Sequence, residues 1–198
     1  MNIVILAAGL GKRMCSRLPK VLQPLAGRPM LDHVLEATAG FSGAPRIVVV
    51  GHCADEVKRR YVGRDDLTFV LQSPQLGTGH ALMQACPALD RKDPHTLVCL
   101  GDVPLLSPKT VRAMQEECDA NDLVLLTVEP ADPKGYGRIV RDEFGRVTSI
   151  VEEKDATADE KMIREVNTGI MVLPTARLDE WLGALTNTNA QGEYYLTD

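Results

Sequence analysis

The sequence predicts an α/β fold: a mostly parallel sheet with helices on both faces and antiparallel additions in its C-terminal part. Short runs of apolar, β-branched residues recur along the chain up to Val128, as strands buried on both faces require. Stretches of helical character separate those runs, joined by loops rich in glycine and proline. After Pro130 the pattern changes to paired strands about a tight turn.

Asn2 to Leu6 (NIVIL) reads as the first buried strand. Pro29 suits the first turn of a helix whose stripe of Met30, Leu31, Val34 and Leu35 ends near Gly40. Arg46 to Gly51 is a second strand, a polar helix follows to about Tyr61, and Thr68 to Leu71 is a third strand. Gly77 to Ala85 reads as a helix entered from a glycine-threonine loop, and Thr96 to Leu100 as a fourth strand. Ser107-Pro108 supplies an N-cap and a first-position proline for the next helix, and Leu123 to Val128 is a fifth strand. This alternation is Rossmann-like. Ala131, Asp132 and Pro133 mark a loop rather than a boundary. Beyond it, Gly137 to Arg141 and Arg146 to Ile150 flank Asp142-Glu-Phe-Gly145 as a hairpin. An acidic helix from about Ala158 to Glu165, a strand from Val166 to Leu173 and an amphipathic helix around Trp181 complete the reading. One domain over residues 1–198 is expected.

Composition narrows the function. The chain is 44% apolar and 25% charged, with a formal net charge of −5. That balance argues against a general binder of nucleic acid or of membrane surfaces, which needs a broad basic face. Five cysteines, widely spaced and without a C-x-x-C pair, describe neither a disulfide framework nor a zinc site. With no signal-like start and no apolar run of membrane-spanning length, a cytoplasmic location is expected.

Against this acidic background the stretch Leu6 to Lys20 (LAAGLGKRMCSRLPK) stands out. Ala7, Ala8, Gly9 and Gly11 leave the backbone bare, and Lys12, Arg13, Arg17 and Lys20 bring positive charge. Bare N–H groups beside cations suit phosphate oxygens. An ordinary βα turn with solvated cations is the plainer alternative. It is not a Walker A loop, because Arg13 follows Gly11-Lys12, and the third glycine of the dinucleotide fingerprint is replaced by Met14. Polar and glycine-rich residues recur at strand ends, where such sheets bind ligands: Leu6 to Gly9, Gln72 with Gly77-Thr78-Gly79, and Gly101-Asp102. Asp102 after a strand can hold Mg²⁺ against phosphates, and the cationic loop opposite favours that over a loop or capping role. Gln72 can read a base edge or sit on the surface. Glu152 follows a strand and can reach a pocket. His33, His52, His80 and His95 read as structural or exposed, and no Ser–His–Asp or Cys–His arrangement stands out.

The run L-A-A-G-x-G-x-R-M-x-S-x-L-P-K resembles the signature of sugar-1-phosphate nucleotidyltransferases. More narrowly, the chain is similar to the N-terminal domain of the bacterial bifunctional N-acetylglucosamine-1-phosphate uridylyltransferase/acetyltransferase family. Gln75 to Ala81, Gly101 to Leu105, Gly135 to Ile139, Glu165 to Ile170 and Asn189 to Asp198 extend the likeness along the whole chain. The resemblance implies a nucleotide-diphospho-sugar transferase fold and the substrates UTP and N-acetylglucosamine 1-phosphate, with UDP-N-acetylglucosamine and pyrophosphate as products. It implies catalytic roles for Arg13, Lys20 and Asp102, with Asp102 holding Mg²⁺. Leu6, Ala7, Ala8, Gly9, Lys20, Gln72, Gly77 and Thr78 would bind the nucleotide. Leu100, Gly101, Gly137, Glu152, Asn167, Tyr195 and Thr197 would line the sugar pocket. The product would feed peptidoglycan and outer-envelope synthesis.

Lys12 stands where the family usually has threonine, and Leu100 where an aromatic residue can precede Gly-Asp. The family domain continues past Asp198, where a later asparagine is a second metal ligand, and its acetyltransferase domain is absent here. The chain therefore resembles a fragment. Family members are trimers through that absent domain, so a monomer is expected. A nucleotide-binding fragment without turnover, or a transferase for another sugar 1-phosphate, are the alternative readings.

Overall fold

The computed structural model describes residues 1–11, 14, 16, 18–118 and 123–198. Its first half contains β1 (Asn2–Ala7), β2 (Pro24–Leu25), β3 (Arg28–Pro29), α1 (Met30–Ala37), β4 (Arg46–Val50), α2 (Ala54–Arg60), β5 (Leu67–Leu71) and α3 (Thr78–Ala85). The second half contains β6 (His95–Leu100), α4 (Pro108–Glu117), β7 (Val124–Val128), β8 (Arg138–Arg141), β9 (Val147–Val151), β10 (Val166–Pro174) and α5 (Leu178–Ala184). The main sheet runs β5-β4-β1-β6-β10-β8-β9, with β7 paired to β10. Its β5-β4-β1-β6 half is parallel, and β10, β8 and β9 are the expected antiparallel additions.

Successive strand residues point to opposite faces, and the core divides accordingly. Ile3, Ile5, Val48, Val50, Leu97 and Cys99 pack on one face with α1, α2 and α4. Val4, Ile47, Val49 and Val98 pack on the other with α3 and α5. That is why these strands read as continuous apolar runs. The α4 cap is as the sequence implies: Ser107 Oγ accepts from Thr110 N at 3.1 Å, with Pro108 in the first turn. The β8–β9 hairpin turns where Asp142 Oδ1 accepts from Phe144 N and Arg146 N.

Two details differ from the sequence reading. The fifth strand, β7, does not join the parallel series beside β6, because β10 lies between them. Burial explains the order: from Ile170 to Pro174 every β10 residue is buried, whereas β7 is half-buried or exposed throughout and suits an outer position. The acidic helix is only a 3₁₀ turn, Glu160–Met162. Thr157 and Glu160 cap each other there, but Met162 is 80% exposed, so no apolar stripe exists to anchor further turns. The short β2–β3 hairpin carried no readable periodicity; it turns through Ala26 and Gly27, both at positive φ.

A polar tie fastens the start of the parallel half. The buried Arg46 donates to Leu35 O at the end of α1 and pairs with Asp66 just before β5. Arg64 also grips Asp66 with two hydrogen bonds of 2.6 and 2.7 Å. The Arg64 bonds, and then Arg46, hold the Asp66 carboxyl far below the usual carboxylate range. A depressed folded-state pKa adds stability above the ordinary aspartate value and loses it as the pH falls towards the folded one. Asp66→Asn should cost about 1 kcal/mol, since Asp66 is half exposed, lowering Tm by roughly 2–4 °C at neutral pH. In thermal scans against pH the gap should narrow below about pH 3.8, the ordinary value; a gap independent of pH would contradict this account.

Candidate functional site

The site begins where β1 and β6 end side by side. Leu6 is in register with Leu100, and Gly101 N donates to Leu6 O at 2.9 Å, extending the ladder by one bond. A Cβ on Gly101 would stand 3.1 Å from Val21 Cγ1 and 3.3 Å from Ala7 Cβ, so glycine lets the two strand ends close up. Ala7 and Ala8 are buried while Gly9 is exposed with open space around it.

Asp102 follows directly, and its carboxylate forms an ion pair with Lys20 Nζ. The side chains are 39% (Lys20) and 24% (Asp102) exposed, so both charges reach solvent. Lys20 is held from behind. It opens the 3₁₀ turn Lys20–Leu22, whose Val21 and Leu22 are buried. Gly11, at φ +59°, passes so close that a Cβ there would lie 2.9 Å from Lys20 Cβ. Arg13, with Lys12, Cys15 and Arg17, lies outside the described residues.

On one flank stands the end of β5. Gln72 is buried, its backbone N–H bonded to Val50 O at 2.7 Å and its side-chain Nε2 donating to Gly77 O at 2.9 Å. Gly77, at φ +102°, precedes α3. Its place is tight: a Cβ there would meet the Glu193–Tyr194 segment. Tyr194 N donates to Leu76 O and Gly79 N to Tyr194 O, both at 2.8 Å, and the Thr78 hydroxyl accepts from Leu196 N at 3.0 Å. The segment 193–196 thus clasps the start of α3.

The opposite flank is built from the antiparallel additions. Gly169, at φ +76°, abuts Leu100: a Cβ would lie 3.0 Å from Leu100 Cδ1. Asn167 N donates to Gly137 O at 2.9 Å, and Asn167 Oδ1 accepts from Gly169 N at 3.0 Å. Glu152 lies against Gly137, where a Cβ would stand 3.1 Å from Glu152 Oε1. Thr197 Oγ1 donates to that same oxygen at 3.2 Å. Burial pushes the Glu152 carboxyl above its ordinary pKa; the Thr197 bond opposes the rise, and Asp198 and Asp155 add to it. Tyr195 is buried, its hydroxyl accepting from Gln191 Nε2 at 2.8 Å, and burial raises its pKa.

These contacts close a circuit. Lys20 meets Asp102, Gly101 meets Leu6, Leu100 meets Gly169, Asn167 meets Gly137, Gly137 meets Glu152 and Glu152 meets Thr197. Thr197 lies next along the chain from the 193–196 clasp on Gly77 and Thr78. All the candidate residues among the described positions belong to this circuit or flank it. A cavity of about 790 Å³ lies elsewhere, between the sheet and α5, with Trp181, Leu182 and Leu185 in its wall. It touches the circuit through Leu196 and Thr197, and no Lys, Arg or His lines it, so it lacks the charge to hold phosphates.

Three participants were not singled out from the sequence. His80 lies 3.2 Å from Gln72 Nε2 through Nδ1. Gln75 packs on Gly51, where a Cβ would meet its Nε2 at 2.6 Å. Arg138 is 2% exposed, donates to Tyr136 O and pairs with Glu153 at 2.8 Å, so it ties the Gly137 loop to the neighbour of Glu152. A charged residue at a strand end reads as solvent-facing, and only its place beside Gly137 hinted otherwise. Among the described residues, Arg138 Nε is the buried side-chain polar atom left without a partner.

Comparison with known proteins agrees with the resemblance read from the sequence. The bifunctional proteins GlmU of Cupriavidus taiwanensis and Cupriavidus necator are each 60% identical over all 198 residues, and that of Burkholderia thailandensis is 58% identical. The chain spans 43% of the length of each of these relatives. Among solved structures, a UDP-glucose pyrophosphorylase complexed with UDP-glucose matches with a TM-score of 0.75 at 17% identity, covering 100% of this chain and 84% of that one. HddC from Yersinia pseudotuberculosis matches at 0.68 and 21% identity, covering 99% and 83%. At these identities the two structures establish the fold. The model of the MobA-like NTP transferase domain matches residues 3–166, from β1 into the start of β10 and so across the Lys20–Asp102 pair, Gln72, Gly77 and Glu152, and the chain belongs to that family of nucleotidyltransferases.

Proposed function

We propose that this domain transfers UMP from UTP to N-acetylglucosamine 1-phosphate, giving UDP-N-acetylglucosamine and pyrophosphate. The observation that carries the reading is the Lys20–Asp102 pair set between two unlike flanks. One flank offers Gln72 and Gly77, suited to a base. The other offers Glu152, Asn167 and Thr197, hydrogen-bonding groups suited to sugar hydroxyls and an acetamido group. The GlmU relatives support the choice of acceptor, and the pyrophosphorylase complex shows a UDP-sugar accommodated by this fold.

The chemistry asks little of acid–base groups. The acceptor phosphate is already anionic and attacks the α-phosphorus in line, so the protein's task is to position two anions and neutralise them. Lys20 supplies a positive charge at the strand ends, and bare backbone after Ala7 lets phosphate oxygens approach; Arg13 is assigned to the leaving pyrophosphate. Asp102 offers a hard oxygen, and no cluster of three or more His, Cys, Asp or Glu suited to a metal lies among the described residues. That donor set fits Mg²⁺, which keeps several waters and takes other oxygens from substrate phosphates. Bound at Asp102, Mg²⁺ would neutralise phosphate charge as a Lewis acid. We place the domain, by itself a monomer, in the cytoplasm; Cys53, Cys86 and Cys99 are free thiols, and no helix among the described residues is long and apolar enough to cross a membrane. The high identity to GlmU weighs against a binding fragment without turnover and against another sugar phosphate.

Pyrophosphate release should require UTP, N-acetylglucosamine 1-phosphate and Mg²⁺, and should stop with EDTA. Lys20→Ala should lower turnover by about 10²-fold or more, the scale for removing one transition-state contact; turnover like the parent's would refute the assignment. Glu152→Gln tests the acceptor flank. A raised folded-state pKa means that Glu152 is most favourable to stability below its ordinary value and loses that contribution as pH rises through the folded one. The glutamine variant should therefore melt higher than the parent at pH 7 but not below about pH 4.5, while KM for the sugar phosphate rises roughly tenfold. A fall in Tm at pH 7 with KM unchanged would count against both halves.

A further inference from the structure

His80 carries a role that the reaction as described does not use, and it follows from counting protons at Gln72. Gln72 Nε2 lies 2.9 Å from Gly77 O. A carbonyl only accepts, so the end of the Gln72 amide facing it must be the NH₂. The same NH₂ lies 3.2 Å from His80 Nδ1. Its second proton goes there, which requires an unprotonated Nδ1 and puts the imidazole proton on Nε2. Gln84 Nε2 stands 3.3 Å from that Nε2; two N–H groups cannot bond each other, so the Gln84 amide must be turned to bring its oxygen to the proton. Gly77 O, Gln72, His80 and Gln84 thus form one directional chain.

The consequence falls on the atom left over. Both amide protons of Gln72 are spent inside the protein, so the side chain has only its Oε1 to offer a ligand. That oxygen has no partner among the described residues and is not among their sealed polar atoms. The backbone N–H of Gly77, the residue whose carbonyl holds the Gln72 amide, is likewise unbonded among the described residues. The pair offers one acceptor and one donor. An imide edge, a ring N–H beside a carbonyl as in uracil, complements it. Cytosine has a bare ring nitrogen and an amine at the same two places and meets it with like against like.

We propose that His80 is a positioning residue for base selection: by accepting from Gln72 Nε2 it locks the amide so that an acceptor faces the base, which selects uracil over cytosine. Without His80 the NH₂ end of Gln72 keeps only its bond to Gly77 O, so rotation of the amide costs less, and a rotated Gln72 presents NH₂ to the base and accommodates cytosine's ring nitrogen. The inference rests on the proposed site for UTP but is separable from the reaction.

The test compares the parent with His80→Leu, which removes the acceptor, and His80→Asn, whose Oδ1 stands near the place of Nδ1. For each protein, kcat/KM is measured with UTP and with CTP, and binding of UMP and CMP by calorimetry. The parent should prefer the uracil nucleotide. His80→Leu should reduce the UTP:CTP ratio tenfold or more, His80→Asn should keep it within about threefold, and KM for the sugar phosphate should hold in both. The asparagine rescue and the unmoved sugar KM separate amide orientation from general damage to the fold. An unchanged ratio in His80→Leu, an equal loss in both variants, or a parent that binds UMP and CMP alike or not at all would overturn the proposal. If the parent transfers nothing but distinguishes UMP from CMP, with the variants ordered as stated, the proposed reaction fails and the role of His80 stands.

Discussion

The pairing of β1 with β6 is the constraint on which the rest of the site depends. Val4, Ile5, Leu97, Val98 and Cys99 are fully buried, so the backbone groups of both strands have no access to water and must bond each other. Buried on both faces, the two strands have one register that keeps Ile3 and Ile5 with α1 and α4, and Val4 with α3 and α5. That register brings Leu6 level with Leu100 and lets Gly101 bond Leu6 O. Asp102 is thereby fixed beside the loop that leaves β1. Apolar packing with no chemistry of its own sets the position of the candidate metal-binding carboxylate.

The second constraint is glycine at close approaches. Gly101 admits Val21, Gly11 admits Lys20 and Gly169 admits Leu100, and in each case a Cβ would stand about 3 Å from the neighbour. Together they draw the loop after β1, the β6 end and the antiparallel additions onto one another. The Lys20–Asp102 pair that results is partly exposed and contributes little to stability. Its importance is positional, since it leaves opposite charges within reach of solvent at the junction of the two flanks.

The parallel half of the sheet was legible because each of its strands is a continuous apolar run bounded by turn signals. The glycine-rich loop after β1, Gln72 and Asp102 were legible as candidates because they stand at strand ends in the sequence order. What escaped has long-range causes. No local pattern says that β10 enters between β6 and β7; only the completeness of its burial decides that. The helix expected at Ala158–Glu165 followed from composition and failed because nothing packs on Met162. The candidate sugar-pocket residues Asn167, Tyr195 and Thr197 came from family resemblance alone, since their convergence with Glu152 joins segments far apart in the chain. His80 read as structural or exposed because its partner, Gln72, lies just past the end of the preceding strand.

The central claim is that nucleotide and sugar meet across the Lys20–Asp102 pair rather than in the apolar cavity beneath α5. A crystal structure with UDP-N-acetylglucosamine and Mg²⁺ tests it most directly. The account predicts the uracil against Gln72 and Gly77, the diphosphate beside Lys20 and Asp102, and the sugar between Gly137, Glu152 and Asn167. Product bound instead against Trp181 and Leu185, or a diphosphate out of reach of Lys20, would contradict it.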